Sequence, residues 1–301
     1  MAIKNIEVSV LAKLKNQAKE EGITYQLGLQ LFFQEEFLRR LSHSQYRDKM
    51  VLKGGMFIYT LTDFDSRPTK DLDFMIRWMS NELENVQSVM EEICAVQTEN
   101  EYIQLDVIGT EQITVDKIYP GVKTKLLGRI KNVKVPFSID VGVDDVIVPD
   151  AVIRTITTRL EGFTAPEICT YSLESTIAEK LDAILQRMET TSRMKDYFDI
   201  YYLSSMFDFT GSILQEAVKR TTEHRLHELN KEAFVRISAF AANPFLSQQW
   251  RNYEPATEVG LEFGEALDRI HNFIEPVAFS IIDEEEFTLL WSCADRHWKK
   301  E

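Results

Sequence analysis

Residues 51–57 read VLKGGMF, and residues 70–74 read KDLDF. The apolar residues after the glycine pair predict a helix that begins at or just after Gly54 and Gly55 and runs through MFIYTLTDF. A helix that begins with glycine presents free backbone N–H groups, with no side chain to block an approaching phosphate. Lys53 adds a positive charge beside them. The pattern fits a phosphate-binding helix start, although a lysine followed by two glycines is more often an ordinary turn.

Three carboxylates occupy polar positions in two predicted strands. Asp71 and Asp73 alternate with Leu72 in DLDFMI, so the two acids project from one face of the strand. Asp140 is the only acid in the apolar alternation of VPFSIDVGV. If these two strands are neighbours, the three carboxylates form a cluster able to hold a hard divalent cation such as Mg²⁺ for a displacement at phosphorus. A lone D-x-D is more often a solvated strand end.

A lysine interrupts the apolar stripe of the helix predicted over residues 173–188. Lys180 lies close in angle to Leu173 and Ile184, so its ammonium group must either snorkel to solvent or face a polar cavity. The next predicted helix begins in SRMKDYFDIYYL, where Asp196 lies in the first turn. Taken alone, this pattern is typical of an ordinary helix whose first turn carries charged residues.

The remaining patterns divide the chain into two predicted domains. Residues 1–165 combine helices with strand-like runs and read as an α/β domain, whereas residues 166–301 read as a helical domain. The elements expected in the first domain are helices at 8–20, 25–42 (with Thr24 as its cap) and 80–95, and strands in YIQLDVIG, TKLLGRI and VKVPFSIDVGV. Those expected in the second are helices at 173–188, 193–207, 211–224, 228–241, 258–274 and 283–297.

The composition favours a cytoplasmic protein that does not coat nucleic acid. The net charge is −14, and residues 166–301 carry 14 Lys and Arg against 24 Asp and Glu. Neither a signal peptide nor an apolar run long enough for a bilayer is seen, and the three cysteines suggest no disulfide framework. One local basic stretch is a candidate RNA contact or, on the alternative interpretation, a solvated hairpin with lysine-guarded edges: Lys117, Lys123, Lys125, Arg129, Lys131 and Lys134.

These segments together resemble the AbiEii nucleotidyltransferase toxin family of type IV toxin–antitoxin and phage-defence (abortive infection) systems, within the DNA polymerase β-type nucleotidyltransferase superfamily. The resemblance covers about residues 5–205. Its matching segments are FLRRLSHSQYRDKMVLKGG, RPTKDLDF, PFSIDVGVDDVIVP, SLESTIAEKLDAIL and SRMKDYFDIYYL. It implies an α+β, bilobed fold, with an N-terminal nucleotidyltransferase-like mixed sheet with helices and a C-terminal helical lobe.

The resemblance also implies roles for the residues of the glycine and carboxylate motifs. Gly54 and Gly55 would cradle a nucleoside triphosphate, with Lys53 and Thr69 also in the nucleotide-binding set. Asp71 and Asp73 would coordinate Mg²⁺. The carboxylate of Asp140 is left open between metal ligand, catalytic base and a structural role.

In the helical part, the resemblance makes Lys180 a residue that neutralises phosphate charge and Asp196 the further catalytic acid. Asp199 remains an alternative to Asp196. The helical lobe would pack over the α/β lobe, so that Lys180 and Asp196 enter a shared cleft.

By the same resemblance, the donor would be GTP or a pyrimidine triphosphate (CTP or UTP), and the acceptor RNA such as the 3′ end of a tRNA. A cognate antitoxin is implied, without a necessary stable complex, and no membrane partner is expected. Two alternatives remain open: a nucleotidyltransferase that modifies a small molecule or a protein, and a nucleotide-binding regulator without turnover.

Overall fold

A computed structural model describes residues 5–113, 121–143 and 146–300 of the chain. The chain divides into two compact units. The first comprises Met1–Asp144 and Ala151–Tyr171, and the second comprises Asp145–Asp150 and Ser172–Glu301. The first unit ends at Tyr171, whereas the sequence predicts a domain boundary near residue 165, which stays a prediction.

The first unit contains four helices and seven strands in its described residues. In chain order they are α1 (Ile6–Glu20), α2 (Tyr25–Ser42), β1 (Met50–Lys53), α3 (Gly54–Leu61), β2 (Leu72–Ile76), α4 (Leu83–Ala95), β3 (Ile103–Ile113), β4 (Gly121–Ile130), β5 (Val133–Val143), β6 (Val152–Thr155) and β7 (Glu167–Thr170). The helix predicted to start at the glycine pair is therefore confirmed. So is the Thr24 cap, since the Thr24 side chain accepts a hydrogen bond from the Leu27 N–H at 3.2 Å.

The seven strands form one mixed sheet in the order β3-β4-β5-β2-β1-β7-β6. β2 pairs with β5, and β1 with β7, in parallel, and the other neighbours are antiparallel. The alternation expected in β5 is confirmed, because Val135, Phe137, Ile139 and Val141 are buried whereas Ser138 and Asp140 are half-buried. The sheet and its helices confirm the predicted α+β class.

Helix α2 is buried on almost every side, although its sequence reads as amphipathic. Its C-terminal half carries four charged residues inside the core, and Arg39 and Glu36 are both fully buried. Arg39 donates to Glu35 and Glu36, at 2.5 Å each, and to the Thr164 carbonyl at 2.7 Å. Burying charge is tolerated here because each ion is paired and hydrogen-bonded.

The same cluster ties α2 to the sheet edge. Glu36 also accepts hydrogen bonds from Thr98 at 2.7 Å and Asn100 at 2.9 Å. Arg40 donates to the Ile103 carbonyl at 2.8 Å and to the Cys94 carbonyl. Helix α2 is thereby held against the end of α4 and the start of β3.

The second unit is mainly helical. Its elements are α5 (Leu173–Arg187), α6 (Met194–Met206), β8 (Phe209–Thr210), α7 (Gly211–His224), α8 (Lys231–Ser238), α9 (Pro244–Arg251), α10 (Glu254–Glu258), α11 (Phe263–Phe273), α12 (Glu275–Ile282), β9 (Leu290–Ser292) and β10 (His297–Lys299), with short 3-10 turns at Met188–Thr190 and Ala239–Ala242. Most of the helices predicted in this region are confirmed within a few residues.

The helix predicted at 283–297 is wrong. α12 ends at Ile282, and the chain then forms β9 and β10, which with β8 make a three-stranded sheet. Aromatic packing decides this outcome: the Trp291 ring lies 4.8 Å from Phe273 and 5.5 Å from Trp298. The Trp291 indole N–H donates to the Ser204 carbonyl at 2.7 Å. These contacts are remote in sequence, so local periodicity did not reveal them.

We predict that Arg39→Met destabilises the first unit by about 3–5 kcal/mol, because it leaves Glu35 and Glu36 buried without their main cation. Urea denaturation followed by circular dichroism measures the loss. The matched control is Arg47→Met, since Arg47 pairs with Asp48 at 3.2 Å across a solvent-exposed contact. That control should cost about 0–1 kcal/mol. Equal losses in the two variants would contradict a buried ionic cluster.

Candidate active site

The glycine pair begins α3 directly after β1 and lies against one of the predicted acids. Gly54 has φ +69°, a conformation that favours glycine. A Cβ atom at this position would overlap the Asp73 carboxylate, with the Asp73 Cγ only 3.1 Å away. Glycine is therefore needed here to admit Asp73, a reason that the sequence did not reveal. Whether a triphosphate also approaches this backbone stays a prediction.

The second glycine admits Thr69. A Cβ atom at Gly55 would lie 2.9 Å from the Thr69 hydroxyl oxygen. That oxygen accepts a hydrogen bond from the Asp71 N–H at 3.2 Å. Thr69 is buried, so its contacts fix the backbone from which Asp71 projects into solvent.

Lys53, the residue before the helix, lies over an aromatic ring. Its Nζ is 5.0 Å from the centre of the Tyr171 ring, a cation–π contact. Lys53 is also the cross-strand partner of Asp73 in the antiparallel pairing of β1 with β2. A positive charge thus neighbours the carboxylate on the adjacent strand.

The strands that carry the acids are adjacent. β2 and β5 run in parallel, and Asp73 pairs directly with Asp140. On the other side of β5, Asp140 pairs with Lys123 of β4, and Lys123 pairs with Glu111 of β3. Directly paired residues share a face of a sheet. One line of charged residues therefore crosses five adjacent strands, here called the charged row: Lys53, Asp73, Asp140, Lys123 and Glu111.

Asp140, like Lys53, Asp73 and Lys123 of this row, is half-buried. Burial raises the pKa of the Asp140 carboxyl above its ordinary value, Lys123 lowers it, and the charges of Asp71 and Glu111 raise it further. The Lys123 Nζ lies 3.4 Å from Asp140 Oδ1. This oxygen makes no hydrogen bond with the described part of the chain. Asp140 Oδ1 is therefore a buried acceptor that meets the Lys123 ammonium but receives no hydrogen bond from the described residues.

The donor set fits Mg²⁺ only in part. In residues 5–113, 121–143 and 146–300, no group of three or more His, Cys, Asp or Glu side chains is arranged to hold a metal ion. The predicted three-carboxylate cluster is therefore not a complete protein metal site. Mg²⁺ is, however, commonly bound by one or two carboxylates together with substrate phosphates. The neighbouring carboxylates of Asp73 and Asp140 match that smaller donor set, and Asp140 Oδ1 accepts no hydrogen bond from the described residues.

In the second unit, Lys180 is enclosed by acids. It is 8% exposed, and its Nζ lies 2.5 Å from Asp199 Oδ2 and 3.5 Å from Asp196 Oδ1. Snorkelling of Lys180 to solvent is therefore wrong. The ammonium is held in a buried ionic cluster, and its shorter contact is with Asp199, the residue that the sequence left as an alternative.

The two aspartates have different partners. Asp196 Oδ2 accepts a hydrogen bond from Arg193 Nε at 2.8 Å, and the Arg193 side chain is 42% exposed. Asp199 is 1% exposed and bonds to Lys180. Asp196 is likewise buried, at 2% exposed. The acid next to the partly exposed Arg193 guanidinium is thus Asp196, whereas Asp199 makes the shorter contact with Lys180. The shared cleft expected for Lys180, Asp196 and the carboxylates of the first unit stays a prediction.

The three residues of the basic stretch that lie on β4 are paired with acids. Lys123 pairs with Asp140, Lys125 with Glu111 at 2.9 Å, and Arg129 with Asp106 at 3.4 Å. Lys117 lies outside the described residues. These ion pairs agree with the alternative interpretation, a hairpin whose edges carry lysines. An RNA contact at this stretch stays a prediction.

Sequence reasoning missed two glutamines that hold the backbone just before Asp71. Gln30 and Gln34 of α2 both donate to the Lys70 carbonyl at 2.9 Å, one residue before Asp71. Gln34 is fully buried. The signal available in the sequence was the glutamine pair at i, i+4 next to apolar residues of α2, a spacing that puts both side chains on one face.

No helix in the described ranges combines the length and the apolar character that a membrane crossing needs.

Comparison with solved structures finds MenT4, a nucleotidyltransferase toxin from Mycobacterium tuberculosis H37Rv, at 17% identity and a TM-score of 0.56, over 92% of this chain and 99% of that one. Two Helicobacter pylori chains, one of them JHP933, align with TM-scores of 0.49 and 0.47 at 16% and 17% identity, over 88% and 87% of this chain and 100% and 98% of theirs. These likenesses concern the fold.

No curated protein matches the sequence significantly. The family model described as "Nucleotidyl transferase AbiEii toxin, Type IV TA system" matches residues 36–269. The matched residues include the glycine pair, the acids of β2 and β5, and the Lys180 cluster. Because this match spans well over half of the chain, the protein belongs to the AbiEii family of nucleotidyltransferase toxins of type IV toxin–antitoxin systems.

Proposed function

We propose that this nucleotidyltransferase uses Mg²⁺ to transfer the nucleotidyl group of a nucleoside triphosphate to a hydroxyl group of RNA. One observation carries the proposal: Asp73 and Asp140 are direct neighbours in the parallel pairing of β2 with β5, and Asp73 lies against the glycine that begins α3. Paired carboxylates beside a helix start offer both a cation site and a phosphate site.

The residues around α3 bind the triphosphate in this proposal. The first N–H groups of α3 lack partners inside the helix, and the positive end of the helix dipole adds to their attraction for phosphate. Lys53, Gly54 and Gly55 line this start. Thr69 supports it by packing against Gly55 and by holding the Asp71 N–H.

Asp73 and Asp140 would hold the metal together with phosphate oxygens, and Asp71, whose charge also acts on Asp140, would add to the negative charge of the site. When bound, such an ion polarises the phosphoryl group and offsets its charge. We assign Asp140 to the metal, rather than to a purely structural role, because it pairs with Asp73 and its Oδ1 accepts no hydrogen bond from the described residues.

In the transfer, the acceptor oxygen forms a bond to the α-phosphorus. The bond from that phosphorus to its bridging oxygen breaks, and pyrophosphate leaves with the electron pair. We propose that Asp196 accepts the proton of the acceptor hydroxyl and that Lys180 offsets phosphate charge. The buried ion pairs of Lys180 support its role because they hold the ammonium group in one place.

For the finer specificity, we propose GTP or a pyrimidine triphosphate (CTP or UTP) as donor and tRNA as acceptor. We further propose that the protein acts in the cytoplasm and that it takes part in phage defence by abortive infection. The cognate antitoxin that the family implies would act without a stable complex. A small molecule or a protein is the second candidate acceptor, and the ion pairs that neutralise Lys125 and Arg129 on the sheet favour it.

The direct test incubates purified protein with each labelled triphosphate, Mg²⁺ and total RNA. We expect label from GTP, CTP or UTP to become covalently attached to RNA, and this attachment to stop when EDTA removes the metal. Label on the protein or on a small molecule would instead support the second candidate. Absence of transfer to any acceptor would contradict the proposed function.

We predict that Gly54→Ala lowers the transfer rate about 100-fold, because the new methyl group displaces the Asp73 carboxylate and small displacements in an active site carry costs of this size. Steady-state kinetics measures the loss. Gly22→Ala is a matched control, because Gly22 also has φ +69° but has nothing within 4 Å of its added Cβ. The control should keep near wild-type kcat. If both variants lose activity equally, backbone strain rather than Asp73 is responsible.

For the second unit, we predict that Asp196→Asn lowers kcat about 100- to 10,000-fold as the proton acceptor is lost, and that Asp199→Asn lowers it less. Asp182→Asn is the control. Asp182 is also a buried acid, but it lies on α5 and contacts Arg225 at 2.9 Å and His227 at 2.6 Å. It should reduce stability and leave kcat of the folded fraction unchanged. A larger loss for Asp199→Asn than for Asp196→Asn would reverse the roles assigned to the two acids.

A further inference from the structure

Lys123 differs from the other basic residues of its strand in what it faces. It is the cross-strand partner of Asp140, which is itself the partner of Asp73. Neighbouring strands are about 4.8 Å apart, so Lys123 lies one strand from the nearer carboxylate of the pair. Lys53 occupies the equivalent place on the other side, one strand from Asp73. The two carboxylates are thus bracketed by two lysines.

The contact between Lys123 and Asp140 is loose. Its ions are 3.4 Å apart, both side chains are about one-third exposed, and Asp140 Oδ1 accepts no hydrogen bond from the described part of the chain. By contrast, Lys125 reaches Glu111 at 2.9 Å, farther along the same face. A lysine ammonium binds phosphate as a compact point charge and needs no single geometry. Lys123 can therefore keep its place beside the carboxylates and still bond to a phosphate there.

We propose that Lys123 is a triphosphate-binding residue of the active site and not part of an RNA-binding surface. This inference rests on the proposed function, because it requires a triphosphate at Asp73 and Asp140. With a metal ion on these carboxylates, Asp140 no longer needs Lys123 as its counter-ion. The ammonium is then available to the phosphates, whose negative charge exceeds that of a single carboxylate.

Lys125 provides a matched comparison. It lies two residues from Lys123 on β4, projects from the same face, and is likewise paired with one acid. Its cross-strand partner on β5 is Ser138 instead of a carboxylate. An RNA-binding surface on β4 would use both lysines, whereas a triphosphate at the carboxylate pair would use Lys123 alone.

The test measures binding of inorganic tripolyphosphate with Mg²⁺ to the full chain by calorimetry, and separately binding of labelled total RNA at two salt concentrations. We expect Lys123→Gln to weaken tripolyphosphate binding about tenfold, as loss of one hydrogen bond to a charged group does. Lys125→Gln should change it less than about twofold, and Lys123→Arg, which keeps the charge, should stay within about threefold. In turnover, Lys123→Gln should raise KM for the triphosphate and leave KM for RNA unchanged.

Three outcomes would overturn the inference. If wild-type protein binds tripolyphosphate and Lys123→Gln binds it equally well, Lys123 is not a triphosphate ligand, while the proposed function stands. If both glutamine variants lose RNA binding equally, with the same reduction in salt dependence, Lys123 belongs to an RNA surface. If the wild-type chain binds no tripolyphosphate and transfers no nucleotide, the proposed function fails and the role of Lys123 fails with it. Melting temperatures of all variants show that the compared proteins are folded.

Discussion

The parallel pairing of β2 with β5 is the constraint on which the candidate active site depends. It places Asp73 directly beside Asp140 on the adjacent strand. Two neighbouring carboxylates repel each other unless cations compensate their charge. The neighbouring strands supply Lys53 on one side and Lys123 on the other. A shift of either strand by one residue would turn its acid to the opposite face of the sheet and break the charged row. The glycine at position 54 follows from the same constraint, because only a residue without a side chain leaves room for Asp73.

Charge is buried in several places among the described residues, and the clusters of α2 and of Lys180 differ in their partners. In α2, Glu36 accepts bonds from two arginines, Thr98 and Asn100, so each of its oxygens has several partners. Such a saturated cluster holds elements together and offers nothing to a ligand. The Lys180 cluster has one close contact, to Asp199, and a longer one to Asp196. Asp196 also bonds to the partly exposed Arg193. This arrangement links a buried lysine, through Asp196, to a partly exposed guanidinium, and the proposed chemistry is assigned to that side of the cluster.

The charges on the surface of the sheet bear on the proposed RNA acceptor. Along β4, Lys123, Lys125 and Arg129 each face an acid, so the basic stretch of the sequence carries much less net positive charge in the fold. Counterion release by lysine and arginine supplies much of the affinity for nucleic acids. A protein with paired lysines and a net charge of −14 would hold its acceptor mainly through contacts near the reacting hydroxyl. Family membership fixes the class of reaction, whereas the identity of the acceptor depends on these contacts.

The sequence by itself determined the helix start at Gly54 and Gly55, the alternation that separates Asp140 from its buried neighbours, the Thr24 cap and most of the helices. All of these depend on residues within a few positions of one another, where periodicity and capping act. Only the tertiary structure decided that Asp73 lies beside Asp140 and Gly54, that Lys123 joins the charged row, and that Lys180 bonds to Asp199 instead of reaching solvent. It also decided that residues 290–299 form a hairpin, through the packing of Trp291 on Phe273. Strand register, ion pairing and aromatic packing bring together residues far apart in the chain, and local pattern carries no information about which partner each will meet.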